Sequence, residues 1–543
     1  MKNFDKVITT ALLYANGPLH IGHILENIQA DVFVRFLRMR QQKCLFISGS
    51  DAHGTPIMLK SEMQQTSPER LVADIHQQHK KILQQFNVFF DSFCTTHDFE
   101  NKELTTEIFN DLQQANLIEI KEIDQPYDEE KQMFLPDRYI KGTCPKCSAT
   151  NQYGDNCEQC GATYSAHELI DPLSVISNTK PCLRKSKHYF FKLSKCDKIL
   201  EKWLSELDCN KSTINKLQEW FDSGLMDWDI SRDKPYFGFN IPNEPDKFFY
   251  VWLDAPIGYL AACQQYCNNK NIALVDLLGT NSKTELIHFI GKDITYFHAL
   301  FWPAMLHHSK YKKPTAIYPH GFLTVNHQKM SKSRNTFITA ESYLENYDPD
   351  FLRYYFCSKL SAKIEDIDFN WQDFQNKNNS DLIGKIVNIA SRCAKILHKN
   401  FNNTLADHID DAEVYQACIE KNKLIANLYN SREYSKAIKE IISLADLINQ
   451  YIAEHAPWSL VKENISCKKA HQICSIGIEC FRCLICYIKP ITPSLALRAE
   501  DFLNHKTDNW DDISKPLLGH KLNTYQHLLS KIDVAKQLQE QCE

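Results

Sequence analysis

The sequence lacks the features that mark exported and membrane-spanning proteins. Its first residues, Met1 to Lys6, run directly into an apolar stretch, without a signal core followed by a small-residue cleavage site. The apolar segment from Cys480 to Tyr487 is interrupted by Arg482 and followed by Lys489 and Pro490. That segment is too short and too polar to span a bilayer. We therefore expect a cytoplasmic protein with no membrane attachment.

A basic surplus, internal repeats and low-complexity tracts are also missing. The formal net charge of −5 counts mildly against a general nucleic-acid binder, because phosphate contacts favour basic surfaces. Any RNA contact must therefore be local. The 20 cysteines, without export signals, are better explained as thiols and metal ligands than as a disulfide framework. A length of 543 residues, with 43% hydrophobic and 24% charged, indicates a globular chain of several domains.

The amino-terminal segment has the pattern of strand, loop and helix. Val7 to Leu13 is an apolar, partly β-branched run, and Asn16-Gly17-Pro18 supplies a turn. Apolar residues then recur at helical spacing, which predicts a helix beginning between His20 and His23. A second strand, Cys44 to Ile47, ends in the small and acidic run Ser48 to Asp51. The order predicts a parallel sheet with a site at the carboxyl ends of its strands, as in nucleotide-binding domains.

The residue composition and the apolar pattern change twice in the middle of the chain. Between positions 124 and 227, short segments rich in Cys, Gly and Pro indicate an insertion domain. The strand-like run Phe248 to Leu253 then resumes the apolar pattern. Leu286 to Ile290, followed by Gly291-Lys292-Asp293, is another strand-to-helix junction, and Phe297, Leu300 and Phe301 are expected on the helix after it.

Beyond about Asp381 the sequence has few strand-like apolar runs. Long helical patterns dominate there, such as Ile383 to Leu397 and Glu433 to Tyr451. They predict an all-helical carboxyl-terminal domain.

Two short motifs could handle phosphate. His20-Ile21-Gly22-His23 places two imidazoles around a glycine at a predicted helix start, where free backbone N–H groups and the helix dipole favour an anion. Two histidines in a turn explain this pattern equally well. Lys329-Met330-Ser331-Lys332-Ser333 is either a solvated basic loop or a mobile loop that closes over a triphosphate and neutralises charge developing on pyrophosphate.

In this order the two motifs resemble the HIGH and KMSKS signatures of class I aminoacyl-tRNA synthetases, and the pair is far more specific than either half. Four further blocks narrow the resemblance to the methionyl-tRNA synthetase family, of the bacterial type with a zinc knuckle. These blocks are Ala11 to Gly17, Asp51 to Pro56, Phe249 to Tyr259 and Gly291 to Ile294. Leu13 is a departure, since the family is expected to have proline there.

The resemblance implies an α/β fold, with a Rossmann-type class I synthetase catalytic domain, a zinc-binding insertion and an all-helical anticodon-binding domain. The expected catalytic domain has two halves, 1–123 and 228–325. The insertion with the zinc knuckle is expected at 124–227, the KMSKS loop and stem-contact region at 326–380, and the helical domain at 381–543.

The resemblance also implies a ligase that activates L-methionine with ATP and transfers it to tRNA(Met), including the initiator tRNA. The methionine carboxylate would attack the α-phosphate in line, with Mg²⁺ accompanying ATP and no protein nucleophile. The expected catalytic residues are His20, His23, Lys329 and Lys332. The expected ATP contacts are Tyr14, Asn16, Gly17, His20, Gly22, His23, Lys329, Met330, Ser331, Lys332 and Ser333.

Nine residues match the family's methionine positions. Methionine is unbranched, polarizable and nearly apolar, so aromatic faces with few polar groups suit it. Each of these side chains taken alone is better explained by core packing, and only the resemblance favours binding. Tyr259 and His298 could contact the thioether and Asp51 the ammonium. The nine are Leu12, Tyr14, Asp51, Trp252, Ala255, Pro256, Tyr259, Ile294 and His298.

Two Cys-x-x-Cys pairs, Cys144 with Cys147 and Cys157 with Cys160, are separated by a short loop. Four thiolates with no open position suit one structural tetrahedral zinc ion, and free cytosolic thiols are the alternative. The resemblance identifies the set as the zinc knuckle of the insertion domain, a brace beside the active site.

Three residues match the family's anticodon-reading positions. Asn388 and Arg392 are four apart on a predicted helix face, and Trp458 follows Pro457 at a predicted helix start. Arginine and asparagine can bond base edges and an exposed tryptophan can stack a base, whereas a solvated helix face and a core tryptophan are the plainer explanations. If the resemblance holds, the anticodon is CAU. The chain stops soon after the helical domain, so a monomer is expected.

Two other functions stay open. Another synthetase of the class, for cysteine, isoleucine, leucine or valine, is disfavoured because branched-chain enzymes usually carry a large editing insertion and the cysteine enzyme seats its substrate on zinc. A synthetase-like RNA-binding or methionine-sensing protein without activity is the second, and the intact HIGH and KMSKS residues disfavour it.

Overall fold

The computed structural model describes residues 4–154, 157–162, 164, 166–330, 337–410, 413–462, 467–535 and 537. The strands are β1 Lys6–Thr10, β2 Leu13–Tyr14, β3 Cys44–Asp51, β4 Ser92–Thr95, β5 Ile118–Asp128, β6 Met133–Phe134, β7 Ile140–Thr143, β8 Gln152–Tyr153, β9 Ile170–Ser174, β10 Cys182–Phe191, β11 Trp228–Asp229, β12 Ser231–Asp233, β13 Lys247–Phe249, β14 Glu285–Gly291, β15 Ala316–His320, β16 Leu323–Val325, β17 Gln328–Lys329 and β18 Ile367–Phe369.

The α-helices are α1 Ile21–Met39, α2 Thr55–Met63, α3 Pro68–Gln85, α4 Phe99–Gln114, α5 Asp197–Leu204, α6 Lys211–Ser223, α7 Val251–Lys270, α8 Leu274–Leu278, α9 Trp302–His307, α10 Ala340–Leu344, α11 Pro349–Lys359, α12 Trp371–Asn378, α13 Asn388–Phe401, α14 Glu413–Glu420, α15 Asn422–Asn430, α16 Tyr434–His455, α17 Pro457–Lys462, α18 Cys467–Ile488 and α19 Pro493–Leu503. Wider π-helical turns occur at Phe297–Phe301 and Asn379–Val387.

A parallel sheet forms the centre of the amino-terminal half. Its strand order is β15-β14-β1-β3-β2, with β4 also paired to β3. Val7 on β1 lies between Leu286 and Leu45 in register. Apolar residues fill these strands because helices cover both faces of such a sheet, and Ile8 and Phe289 are fully buried. The carboxyl ends of β1, β3, β14 and β15 therefore share one edge, the usual place for a ligand site.

Antiparallel sheets occupy the sequence between the two groups of parallel strands. β5 and β10 pair along most of their length, from Ile118 opposite Phe191 to Tyr127 opposite Cys182, within the order β11-β10-β5-β6. The small sheet β8-β7-β9 supports the cysteine pairs.

Helices dominate the last part of the chain. α18 is long and apolar enough to cross a membrane by length and composition, but 89% of its apolar window is buried. It packs against α13 and α16, and its Arg482 pairs with Glu479 inside the molecule. α18 is thus placed as a core helix. After α19 the chain is mostly irregular, with Leu522, Leu528 and Val534 buried.

One buried arginine joins the helical part to the sheet. Arg353 on α11 is fully buried and donates to Asp31 of α1 at 2.6 Å. Its other N–H groups donate to the carbonyl oxygens of Phe86, Pro490 and Ile491. One guanidinium therefore ties α1, the end of α3 and the turn before α19 together.

The predicted fold class is confirmed, and two local predictions were wrong. The run Phe248 to Leu253 is strand only to Phe249, because Tyr250 is the N-cap of α7 and the following apolar residues form its first buried turn. The first strand ends at Thr10 rather than Leu13, because its register with β3 shifts by one residue before β2 begins. Thr9 lies opposite Ile47 in β3, whereas Leu13 lies opposite Ser50.

Candidate active site

The first motif forms the N-terminal cap of α1, in which His20 and His23 each bond to the other end of the motif's backbone. His20 is the N-cap, and its Nδ1 accepts a hydrogen bond from the Gly22 N–H at 3.1 Å. The His20 N–H in turn donates to Nδ1 of His23 at 3.2 Å. The two rings stack with centroids 3.7 Å apart. Because both Nδ1 atoms accept, each neutral ring carries its proton on Nε2.

Burial keeps both imidazoles neutral. It lowers the pKa of His20 to about 4. It lowers the pKa of His23 to about 3, with a smaller contribution from the charges of His20 and His79. The start of α1 therefore combines two neutral Nε2–H donors with the free N–H groups of a 19-residue helix, which suits a phosphate.

Met330, from the described start of the second motif, lies over the first motif. A Cβ added to Gly22 would come within 2.7 Å of the end of the Met330 side chain and 2.9 Å of the His20 ring, so a larger residue would make one of them shift. Phe337 contacts the His20 ring edge to face at 5.3 Å. The Ile21 N–H donates to the Ile338 carbonyl, and the Ala340 N–H donates to the Leu19 carbonyl. Segments some three hundred residues apart thus meet at the start of α1.

A cavity of about 510 Å³ opens beside this junction. Five predicted ATP residues line it, namely Tyr14, His20, Gly22, His23 and Met330. Lys329 is placed in β17, but its side chain and the predicted residues Ser331, Lys332 and Ser333 lie outside the described part of the chain.

The other two predicted ATP residues lie in the loop before α1. Lys60 donates to the Asn16 carbonyl at 2.5 Å, and Nε2 of His79 donates to the Gly17 carbonyl at 2.9 Å. Asn16 and Gly17 do not line the cavity. These contacts fix the loop through which the chain enters the first motif.

Several lining residues were missed by the sequence analysis. Glu26, Asp293 and His320 face the same cavity, together with Gly291, Phe322 and Leu323. His320 ends β15 and Asp293 follows β14. A polar residue at the end of an apolar strand was the signal available for both. Glu26 gave none, because it occupies an ordinary helical position in α1.

Glu26 and His320 form a buried pair at the back of this cavity. Nδ1 of His320 donates to the Gly321 carbonyl at 2.7 Å, and Nε2 lies 3.2 Å from Glu26. Burial disfavours the charged ring, but the contact with Glu26 outweighs it and raises the pKa of His320. Burial also raises the pKa of Glu26, against the opposing effect of His320. The pair therefore holds a proton between its two members.

A second, narrower cavity of about 40 Å³ adjoins the first at the edge of the sheet. Eight of the nine predicted methionine residues line it, together with Ala11 and Phe297; the eight are Leu12, Asp51, Trp252, Ala255, Pro256, Tyr259, Ile294 and His298. Tyr14 lines the larger cavity instead. Trp252 stacks on Phe297 with centroids 3.6 Å apart, which gives the narrow cavity an aromatic wall.

Hydrogen bonds fix the polar side chains of this wall. Nδ1 of His298 donates to the Ile294 carbonyl at 3.0 Å, so its Nε2 accepts from the Tyr259 hydroxyl at 2.8 Å. Burial lowers the pKa of His298 to about 4. These two side chains thus have their protons already engaged, and the surface they present suits an apolar thioether.

The four predicted zinc ligands lie together. Their sulfur atoms are all within 4.8 Å of one another, with Cys144 and Cys160 at 3.9 Å and Cys147 and Cys157 at 3.5 Å. A tetrahedral zinc ion with Zn–S bonds of about 2.3 Å separates its sulfur ligands by about 3.8 Å. The cluster could therefore hold one zinc ion.

The three predicted anticodon residues also lie near one another. The guanidinium of Arg392 lies 4.8 Å from the ring centre of Trp458, and Trp458 is 43% exposed. Asn388, at the start of α13, donates to Asn449 at 3.2 Å. The exposed ring and the adjacent cation offer a surface on which a base could stack.

The sequence matches a known family over most of its length. The family model described as tRNA synthetases class I (M) matches residues 6–394.

Two solved structures share the fold. One is Mycobacterium tuberculosis methionyl-tRNA synthetase in complex with methionyl-adenylate, with a TM-score of 0.80 and 22% identity over 97% of this chain and 99% of that chain. The other is a crystal structure of Mycobacterium tuberculosis methionyl-tRNA synthetase bound by methionyl-adenylate, with a TM-score of 0.79 and 20% identity over 97% of this chain and 100% of that chain.

Proposed function

The chain belongs to the class I tRNA synthetases of the family denoted (M), and from this premise we propose that its amino acid is L-methionine and its acceptor is tRNA(Met), including the initiator. The observation that carries the proposal is the pair of adjoining cavities. The larger is lined by two neutral imidazole donors of the first motif and by Met330 of the second, and the narrower has an aromatic wall and one carboxylate, Asp51.

In the proposed reaction the protein orients the two substrates and stabilises the charge that develops on phosphate. Methionine in the narrow cavity would turn its carboxylate toward the α-phosphate of ATP, with Asp51 receiving the ammonium. His20 and His23 would donate to phosphate oxygens, and Lys329 and Lys332 would neutralise the charge that moves to pyrophosphate. Mg²⁺ would accompany ATP and neutralise part of the triphosphate charge. The methionyl-adenylate would then esterify the terminal ribose of the tRNA.

Further elements of the proposal concern the rest of the chain. Arg392, Asn388 and Trp458 would read the CAU anticodon. The four cysteines would hold structural zinc, and the protein would act in the cytoplasm as a monomer. The five segments 1–123, 124–227, 228–325, 326–380 and 381–543 would be its domains.

Pyrophosphate exchange with each proteinogenic amino acid tests the substrate. We expect methionine-dependent exchange that is lost in Lys332→Ala and kept in Lys310→Ala, whose side chain pairs with Glu107 on the surface. Exchange with another amino acid would refute the methionine assignment. Absence of exchange with any amino acid would favour a binding protein without activity.

A further inference from the structure

Three hydrogen-bonded polar side chains, two of them buried, lie next to the narrow cavity and form a chain. His53 follows Asp51 by two residues and is fully buried, and its Nδ1 bonds to Asp254 in the first turn of α7. Its Nε2 lies 2.9 Å from Nδ1 of His97. His97 is partly exposed. The chain therefore runs from a carboxyl group in the core to the protein surface.

Aromatic rings insulate this chain along its length. The His53 ring meets the rings of Phe237 and Phe239 edge to face at 5.4 and 4.6 Å. The same two rings pack against His97 at 4.9 and 5.7 Å. Such packing limits access of water to the bonds, so a proton passing between these groups would move along the chain.

The two carboxyl groups at its inner end are incompletely satisfied. The Oδ1 atoms of Asp51 and Asp254 are shielded from solvent and have no hydrogen-bond partner among the described residues. Burial and the charge of Asp254 raise the pKa of Asp51, and burial raises the pKa of Asp254 against the opposing effect of His53. Two buried carboxylates that repel each other retain a proton until a cation arrives.

We propose that Asp254, His53 and His97 conduct a proton out of the active site when the substrate's ammonium group binds beside Asp51. This inference rests on the proposed function, because the amino acid supplies the cation.

The step balances with one proton leaving. Before binding, Asp254 is protonated and donates to Nδ1 of His53, whose Nε2–H donates to Nδ1 of His97. On binding, the proton of Asp254 passes to Nδ1 of His53, that of Nε2 passes to His97, and Nε2–H of His97 gives its proton to water. Afterwards Asp254 is a carboxylate and each ring has exchanged its Nε2 proton for one on Nδ1. Asp254 and His53 are positioning residues, since neither lines the cavity.

Other titratable groups influence the charges of this hydrogen-bonded chain and of Asp51. The charges of Glu69, Asp98 and Lys102 act on His97. Tyr236 interacts electrostatically with Asp254. Three further tyrosines interact in the same way with Asp51, namely Tyr14, Tyr250 and Tyr259. Burial raises the pKa of each of these four tyrosines, so they stay neutral near neutral pH. Because these tyrosines keep their protons near neutral pH, the released proton comes from the pair of carboxyl groups, Asp51 and Asp254.

Titration calorimetry of methionine into the full chain, in two buffers of different ionisation enthalpy, counts the protons released. Near neutral pH we expect about one proton per methionine, with affinity rising as pH rises by up to about tenfold per pH unit. Asp254→Asn keeps the shape but removes the second carboxyl group, so release should fall to about a fifth of a proton or less and the affinity should become nearly independent of pH. Asp208→Asn, whose parent carboxylate accepts from Tyr318, is the matched control.

The outcomes separate the two proposals. No methionine binding by the native chain would refute the proposed function. Binding without proton release by the native chain, or undiminished release by Asp254→Asn, would overturn the proton chain alone.

A second variant tests the route if Asp254→Asn does not fold. His97→Phe keeps the aromatic packing but breaks the hydrogen-bonded chain, and we expect it to slow methionine association, followed by intrinsic tryptophan fluorescence, by about tenfold or more. An unchanged association rate would overturn the route through His97.

Discussion

Replacing Arg353 with methionine tests how the helical part of the molecule is joined to the catalytic sheet. The native guanidinium is fully buried and serves one carboxylate and three carbonyl oxygens. Methionine fills much of the same volume without any donor. The variant therefore leaves Asp31, whose side chain is 3% exposed, with Arg35 as its single side-chain partner among the described residues.

The expected cost follows from these contacts. Removing one member of a buried ion pair typically costs about 3–5 kcal/mol. Arg35 continues to pair with Asp31 at 2.7 Å, which reduces the loss, whereas the three carbonyls left without a donor increase it. We expect the free energy of unfolding to fall by about 3 kcal/mol.

Urea unfolding followed by far-ultraviolet circular dichroism measures this loss. Arg35→Met is the matched control, because it removes a partly exposed cation from the same carboxylate, and should cost about 1 kcal/mol or less. Adding Asp31→Leu to Arg353→Met removes the isolated charge and should recover part of the loss. A loss below about 1 kcal/mol for Arg353→Met alone would refute the reasoning, since it would mean that water or another donor replaces the guanidinium.

Three further outcomes can be measured directly. Gly22→Ala should lower pyrophosphate exchange at least about tenfold, because its Cβ would come within 2.9 Å of the His20 ring and force that phosphate donor to shift; unchanged exchange would refute this. Cys157→Ser should reduce bound zinc, measured by atomic absorption, from one ion per chain to near zero; full occupancy would contradict a four-sulfur site. Trp458→Ala should raise the KM for tRNA about tenfold while leaving pyrophosphate exchange unchanged, because stacking a base is worth about 1–3 kcal/mol; an unchanged KM would exclude stacking on this ring.

Local patterns in the sequence were sufficient for the features that depend on near neighbours. The cap at His20, the strand Cys44 to Ile47 within β3 and the pairing of the cysteines all follow from residues close in the chain. The cavity residues Glu26 and His320 lie 294 positions apart, and their contact depends on how β15 lies beside α1. Local sequence patterns cannot predict such a contact between distant segments.

The misplaced strand at Phe248 has a related cause. Val251 to Leu253 are apolar and partly β-branched, so their intrinsic preference does not distinguish a strand from a buried helix. The outcome depends on Tyr250, whose N–H still bonds across to the Ile230 carbonyl but whose own carbonyl already accepts the Leu253 N–H of the first helical turn. Such a contact is visible only once distant segments are packed.

The π-helical turn at Phe297–Phe301 constrains how the gene can change. A turn of this kind holds an extra residue compared with an α-helix, and such bulges are frequent at functional sites. Deleting one codon here would restore regular α-helix and keep the two flanks close to their present orientation, so the loss would fall on the side chains of the turn itself. The stack of Phe297 on Trp252 or the contact of His298 with the Tyr259 hydroxyl would then be lost. Single-codon deletions in this stretch should therefore be eliminated in a growth selection, whereas synonymous changes at the same codons should persist.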